Sequence, residues 1–135
     1  MKKHVIITLL LFSAIVISHA QTTYLQKKSE RVIVTPEVEQ KLLMSIEQGK
    51  AYLIDVRTPE EYSQHHLKYA ANINIKSADF TGEIKKLDKS KPIYLYCHSG
   101  NRSGRAADSL QTLGYHLSYN IGAIDSLTKA GFPVQ

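Results

Sequence analysis

A chain of 135 residues, 43% of them hydrophobic, is expected to form one domain with enough material for a core that needs no disulfide staples. Its formal charge of +5 falls to +3 once Lys2 and Lys3 of the first segment are set aside, leaving 15 basic residues against 12 acidic ones, a surplus too mild and too scattered for nucleic acid. The single cysteine, Cys97, excludes an internal disulfide.

Met1-Lys2-Lys3-His4 forms a short positive start, Val5 to Ile17 an apolar stretch, and Ser18-His19-Ala20 a set of small residues suited to cleavage. This predicts a secretory signal peptide over 1–20, cut after Ala20. The apolar run is shorter than the ~18–20 residues that span a bilayer, so no membrane attachment is expected after cleavage. The Lys-Lys start and short apolar stretch look bacterial, which points to the periplasm. Residues 21–31 read as a polar lead-in and 32–135 as the folded domain.

Val32-Ile33-Val34 is expected as a first strand. Thr35 caps a helix with Pro36 at its first position, whose buried face is Val38, Leu42, Leu43 and Ile46, and Gly49 ends it. Ala51 to Ile54 is a strand ending at Asp55, and Thr58-Pro59-Glu60-Glu61 has the capping-box spacing of a brief helix. Ala71 to Ile75 is a strand, and Phe80, Ile84 and Leu87 mark one face of a short helix. Ile93 to Tyr96, Ser103 to Leu113, Leu117 to Ile121 and a last helix up to Gly131 complete a strand and helix alternation. That alternation predicts an α/β fold, a small parallel sheet of about five strands flanked by helices on both faces. Ligands bind such sheets beyond the carboxyl ends of the strands, where both Asp55 and Cys97 lie.

Cys97 therefore sits at the tip of a buried strand and faces the start of a helix, where unpaired backbone N–H groups and the positive helix end converge. Such surroundings favour thiolate over thiol. Arg102 and His98 add positive charge, and Gly100 lets the backbone turn so that successive N–H groups point inward.

Cys97-His98-Ser99-Gly100-Asn101-Arg102-Ser103 resembles the active-site loop of the single-domain rhodanese (thiosulfate sulfurtransferase) family, C-x-x-G-x-R/T. Asp55 to Tyr62 is similar to the family's D-x-R-x-x-x-E-[FY], and His66-Leu67 through Asn72-Ile73 to H-I-x-G-A-x-N-I. Asn120-Ile121-Gly122-Ala123-Ile124 and Gly131-Phe132-Pro133-Val134 are similar to its closing motifs. The resemblance covers about Val32 to Val134 and implies a rhodanese-like fold, a catalytic Cys97 that becomes a persulfide, and no cofactor or metal. It implies substrate binding by the loop from His98 to Ser103, a small-molecule sulfur donor such as thiosulfate, and cyanide, a thiol or a thiol-bearing protein as acceptor. The sequence departs from the family at Tyr69, where a Gly is usual, at Asn74 for Pro, at Ala123 for the second Gly and at Leu127 for Trp. His98 stands where thiosulfate-using relatives often carry Arg.

Asp55 and Arg57 are expected to support the site as an ion pair or turn rather than to touch substrate. His98 either donates to an anion or faces solvent. Ser103 either donates its hydroxyl to sulfur or caps the helix, capping being the preferred reading. Adjacent His65 and His66 lack a third ligand at metal spacing, so no metal is expected. Tyr52, Tyr62, Tyr69, Tyr94 and Tyr96 read as core and rim. Two other functions fit a Cys-Arg loop: a non-catalytic sulfur-carrier or partner-binding domain, and a phosphatase.

Overall fold

A computed structural model describes residues 31–135. The signal peptide expected over 1–20 and nearly all of the lead-in lie outside the described residues. No helix among the described residues is long and apolar enough to cross a membrane.

Four parallel strands, β1 (Tyr52–Asp55), β2 (Ala71–Asn72), β3 (Ile93–Cys97) and β4 (Ser118–Ala123), form one sheet in the order β2-β1-β3-β4. Alternation along the strands sorts the core into two layers. Ile93, Leu95 and Cys97 face α3 (Phe80–Lys85) and α4 (Asn101–Thr112), packing with Phe80, Ile84, Ala106, Ala107 and Leu110. On the other face, Leu53, Tyr96 and Ile121 pack with Leu42 and Ile46 of α1 (Pro36–Glu47) and with Ile124 and Leu127 of α5 (Ile124–Ala130). Leu127, at the position of the family's usual Trp, is a buried member of this second layer.

The helix starts follow local chemistry. Thr35 caps α1 by accepting from the Val38 N–H, and Thr58 and Glu61 close a reciprocal capping box on α2 (Pro59–Gln64). α4 differs from expectation, beginning at Asn101 behind a left-handed Gly100 with φ 91°. Ser103 is therefore the third residue of the helix, and no side chain caps it.

Two expected strands shrink. Val32-Ile33-Val34 forms no strand; the segment touches the sheet through a single parallel bridge, Arg31 to Asn120, with the Val32 N–H on Asn120 O at 2.9 Å. The register between β3 and β4 slips between Leu95 and Tyr96, where Ile121 is the extra residue of a bulge. The run from Ala71 to Ile75 pairs as a strand only over Ala71–Asn72; Ile73 and Ile75 then donate to Asp55 O and Val56 O, following the loop after β1. Tyr69 takes φ 70°, the left-handed region that costs a side chain, which accounts for glycine being usual there.

Candidate active site

β3 delivers Cys97 to the carboxyl edge of the sheet, where the residue has no solvent exposure. The chain turns at once, and the Gly100 N–H donates to Cys97 Sγ at 3.0 Å. Burial pushes the thiol up, but the Ser103 hydroxyl and the amides of Ser103, Gly100 and Ser99 more than offset it, so the Cys97 pKa lies below the ordinary thiol value. The Asn101 N–H leans instead on Ser99 Oγ, at 3.4 Å. His98, Ser99 and Asn101 are exposed, whereas Gly100 and Ser103 are buried.

The Ser103 hydroxyl does not cap α4, contrary to the preferred reading. It lies 3.5 Å from Cys97 Sγ and 2.7 Å from Asn120 Oδ1. A hydroxyl has one hydrogen, so donation to sulfur costs the shorter bond to Asn120. The orientation of the Asn120 amide follows from its neighbours: Oδ1 accepts from the Gly122 N–H at 3.0 Å, and Nδ2 donates to Gly100 O at 3.0 Å. Asn120 thus ties Gly100 and Ser103 to β4. The register slip beside it and Gly122, with φ 100°, let that amide bond to Oδ1.

Arg102 projects from the first turn of α4 and gives both terminal nitrogens to Glu61, Nη1 to Oε2 at 2.6 Å and Nη2 to Oε1 at 2.7 Å. The guanidinium, with help from the Thr58 amide, holds the Glu61 carboxyl down at about 2. Arg102 still feels the Cys97 charge, which helps raise its own pKa alongside the larger effect of Glu61.

Next to this loop, Asp55 and Arg57 are buried and close on each other. Asp55 Oδ1 accepts from the Arg57 amide at 2.9 Å and from Nε at 3.0 Å, Oδ2 accepts from Nη2 at 2.7 Å, and Nη2 also reaches His65 O at 2.7 Å. Asn72 Nδ2 donates to the carbonyls of both residues. Both carboxylate oxygens are engaged by Arg57. His66 is held by Tyr62, its Nδ1–H on Tyr62 O at 2.9 Å and its ring stacked on the Tyr62 ring at 3.7 Å. Tyr96 is wholly buried, and its hydroxyl accepts from the Leu67 N–H.

Three residues that matter to this geometry were not among the sequence-derived candidates. Glu61 carried a signal, because it belongs both to the capping box and to the motif after Asp55. Asn120 carried one too, as the first residue of a closing motif. Arg31 carried none, lying in a polar segment without periodicity, yet its guanidinium rests on the loop with Nη2 on Ser99 O at 2.6 Å.

A profile of the rhodanese-like domain matches residues 38–130. The thiosulfate sulfurtransferase PspE of Escherichia coli is 35% identical over 74 residues, 55% of this chain and 71% of that protein. The thiosulfate sulfurtransferase GlpE of Pseudomonas savastanoi pv. phaseolicola is 34% identical over 101 residues, 74% of this chain and 89% of that protein. Among solved structures, a rhodanese with anions from E. coli is similar with a TM-score of 0.52 and 32% identity, covering 63% of this chain and 96% of the other.

Proposed function

The chain belongs to the rhodanese-like domain family, whose relatives support sulfur transfer in general, and from that membership and the cradle around Cys97 we propose a thiosulfate sulfurtransferase working through a Cys97 persulfide. The observation that carries this reading is the Gly100 N–H on Cys97 Sγ at 3.0 Å, with the Ser103 hydroxyl 3.5 Å away, around a buried thiol whose pKa is lowered. The thiolate attacks the outer sulfur of thiosulfate or a similar sulfane donor; the S–S bond of the donor breaks and sulfite leaves with the bonding pair. Cyanide or a thiol then attacks the outer sulfur of the persulfide, and the Cys97 thiolate is released. The Gly100 N–H and the Ser103 hydroxyl would hold the negative charge of the persulfide, an oxyanion-hole arrangement used for sulfur. Cys97 is closed to solvent at rest, and the exposed side chains of its loop, His98, Ser99 and Asn101, form the face that a donor meets first. His98 meets the donor anion at the rim. Arg102, with both terminal nitrogens given to Glu61, acts on the donor through its charge rather than as a bidentate grip.

The same commitment of Arg102 speaks against a phosphatase, which needs a free fork for the phosphoryl oxygens. The loop is also short for that task, with four residues between Cys97 and Arg102, each adding one donor and up to about 3.6 Å of reach. A carrier domain shares the persulfide but not the turnover. Thiocyanate formation from thiosulfate and cyanide, set beside hydrolysis of an aryl phosphate with Cys97→Ser as the blank, separates all three. Turnover of the first substrate alone is expected; Cys97-dependent phosphate release without persulfide would replace this reading with the phosphatase. We further propose export to the periplasm with a mature chain beginning at Gln21, which an intact mass from periplasmic extract decides.

A further inference from the structure

We propose that Arg31 is a positioning residue for the Cys97 thiolate, acting from behind the loop through the single peptide unit that joins Ser99 to Gly100. The carbonyl of that unit accepts from Arg31 Nη2 at 2.6 Å, and its N–H donates to Cys97 Sγ at 3.0 Å. In a trans peptide the C=O and N–H point in opposite directions, and no cis bond occurs among the described residues. Guanidinium and sulfur therefore occupy the two ends of one peptide dipole. A positive charge at the carbonyl end polarises the unit and strengthens its N–H as a donor to an anion, as in any chain of hydrogen bonds.

The path of the side chain is built for this contact. Arg31 crosses two glycines in the left-handed region, Gly122 and Gly100; a Cβ on Gly122 would come within 3.0 Å of Arg31 Cδ, and one on Gly100 would run into Nη2. Its backbone is held on β4 by the bridge to Asn120, the residue whose amide also holds Gly100 O and Ser103. The arginine and the loop are thus referenced to the same point.

Charge distinguishes Arg31 from its neighbours. Arg57 is closed on Asp55, and Arg102 on Glu61, while no ion pair among the described residues involves Arg31. The charged and titratable groups around the thiol are then the Asp55–Arg57 pair at the end of β1, Glu61 of α2 with Arg102 of α4, His98 beside it in sequence, and Arg31. Among the described residues, Arg31 alone of these cations is bonded to the loop without a described carboxylate against it, through the peptide unit whose N–H meets the sulfur.

This deepens the sulfur-transfer reading and rests on it for its purpose, but its test needs neither donor nor acceptor. The ultraviolet absorbance of the resting thiolate is titrated in wild type, Arg31→Gln and Arg31→Lys, with Cys97→Ser subtracted and folding followed by circular dichroism. Arg31→Gln keeps a donor without charge and is expected to raise the thiol pKa by about half a unit, a threefold loss of thiolate below the midpoint. Arg31→Lys, with its charge, is expected to stay near wild type. Because Arg31 is exposed, about 1 M salt should move wild type toward the Gln variant. A Gln variant that titrates with wild type, or a Lys variant displaced as far as Gln, overturns the proposal. Absence of persulfide alongside the expected titrations would instead count against the sulfur-transfer reading alone.

Discussion

The loop after β1 and the loop after β3 leave the same edge of the sheet from paired strands, with Asp55 opposite Tyr96 in register. The first turns its charges on each other: the Asp55 carboxylate takes the backbone and side chain of Arg57, and the pair is buried. The second turns the Gly100 N–H toward one sulfur and ties its carbonyls elsewhere, Gly100 O to Asn120 and Ser99 O to Arg31. Position at the carboxyl edge is common to both, so position alone does not make a reactive site. What differs is whether the loop satisfies its own polar groups or leaves a set of donors aimed at an anion.

If that distinction is right, the two loops fail differently. Cys97→Ser should cost about three orders of magnitude or more in sulfur transfer, because a hydroxyl at this site is no soft anionic nucleophile, while thermal unfolding stays near wild type. Appreciable residual transfer in this variant would break the contrast at its strongest point. Asp55→Asn should do the reverse first. It leaves the Arg57 guanidinium buried without its counter-charge, at a cost of about 3–5 kcal/mol read from the urea midpoint. A loss below about 1 kcal/mol would mean that the first loop is not the rigid support described here.

Glu61 joins the two regions, since it caps α2 just after the first loop and pairs with Arg102 at the second. Its folded pKa of about 2 lies below the unfolded value of 4.5, so the stability it contributes is fully present above about pH 4.5 and is lost as the pH falls toward 2. The pair is partly exposed, and screening limits its worth to about 1 kcal/mol at neutral pH. Stability measured against pH should converge for wild type and Glu61→Gln as the carboxylate protonates. Parallel curves across that range would show that the ion pair contributes nothing.

Much of this was legible from residue order. The Thr35 cap, the capping box at Thr58, the alternation of strands and helices and the tip position of Cys97 are local patterns, and the structure shows each of them. Tyr69 was legible only as a departure from the family's glycine, and its positive φ is a finding of the structure. The missing strand at Val32-Ile33-Val34 was not legible, because three consecutive apolar residues are compatible with pairing, and the single bridge from Arg31 to Asn120 depends on a distant strand. Ser103 looked like a cap because the start of α4 was placed two residues late; Gly100 begins the helix by its backbone alone, which no side-chain pattern records. Asn120 and Arg31 act across 17 or more residues of sequence, on Ser103 and on Ser99, and such contacts have no period to read.

The central claim is that Cys97 carries sulfur, and intact mass of the purified chain after incubation with thiosulfate tests it most directly. A gain of ~32 Da, one sulfur atom, that is absent in Cys97→Ser and reversed by cyanide is the predicted result. An unchanged mass in wild type, with the thiol shown to be reduced and the protein folded, would contradict it.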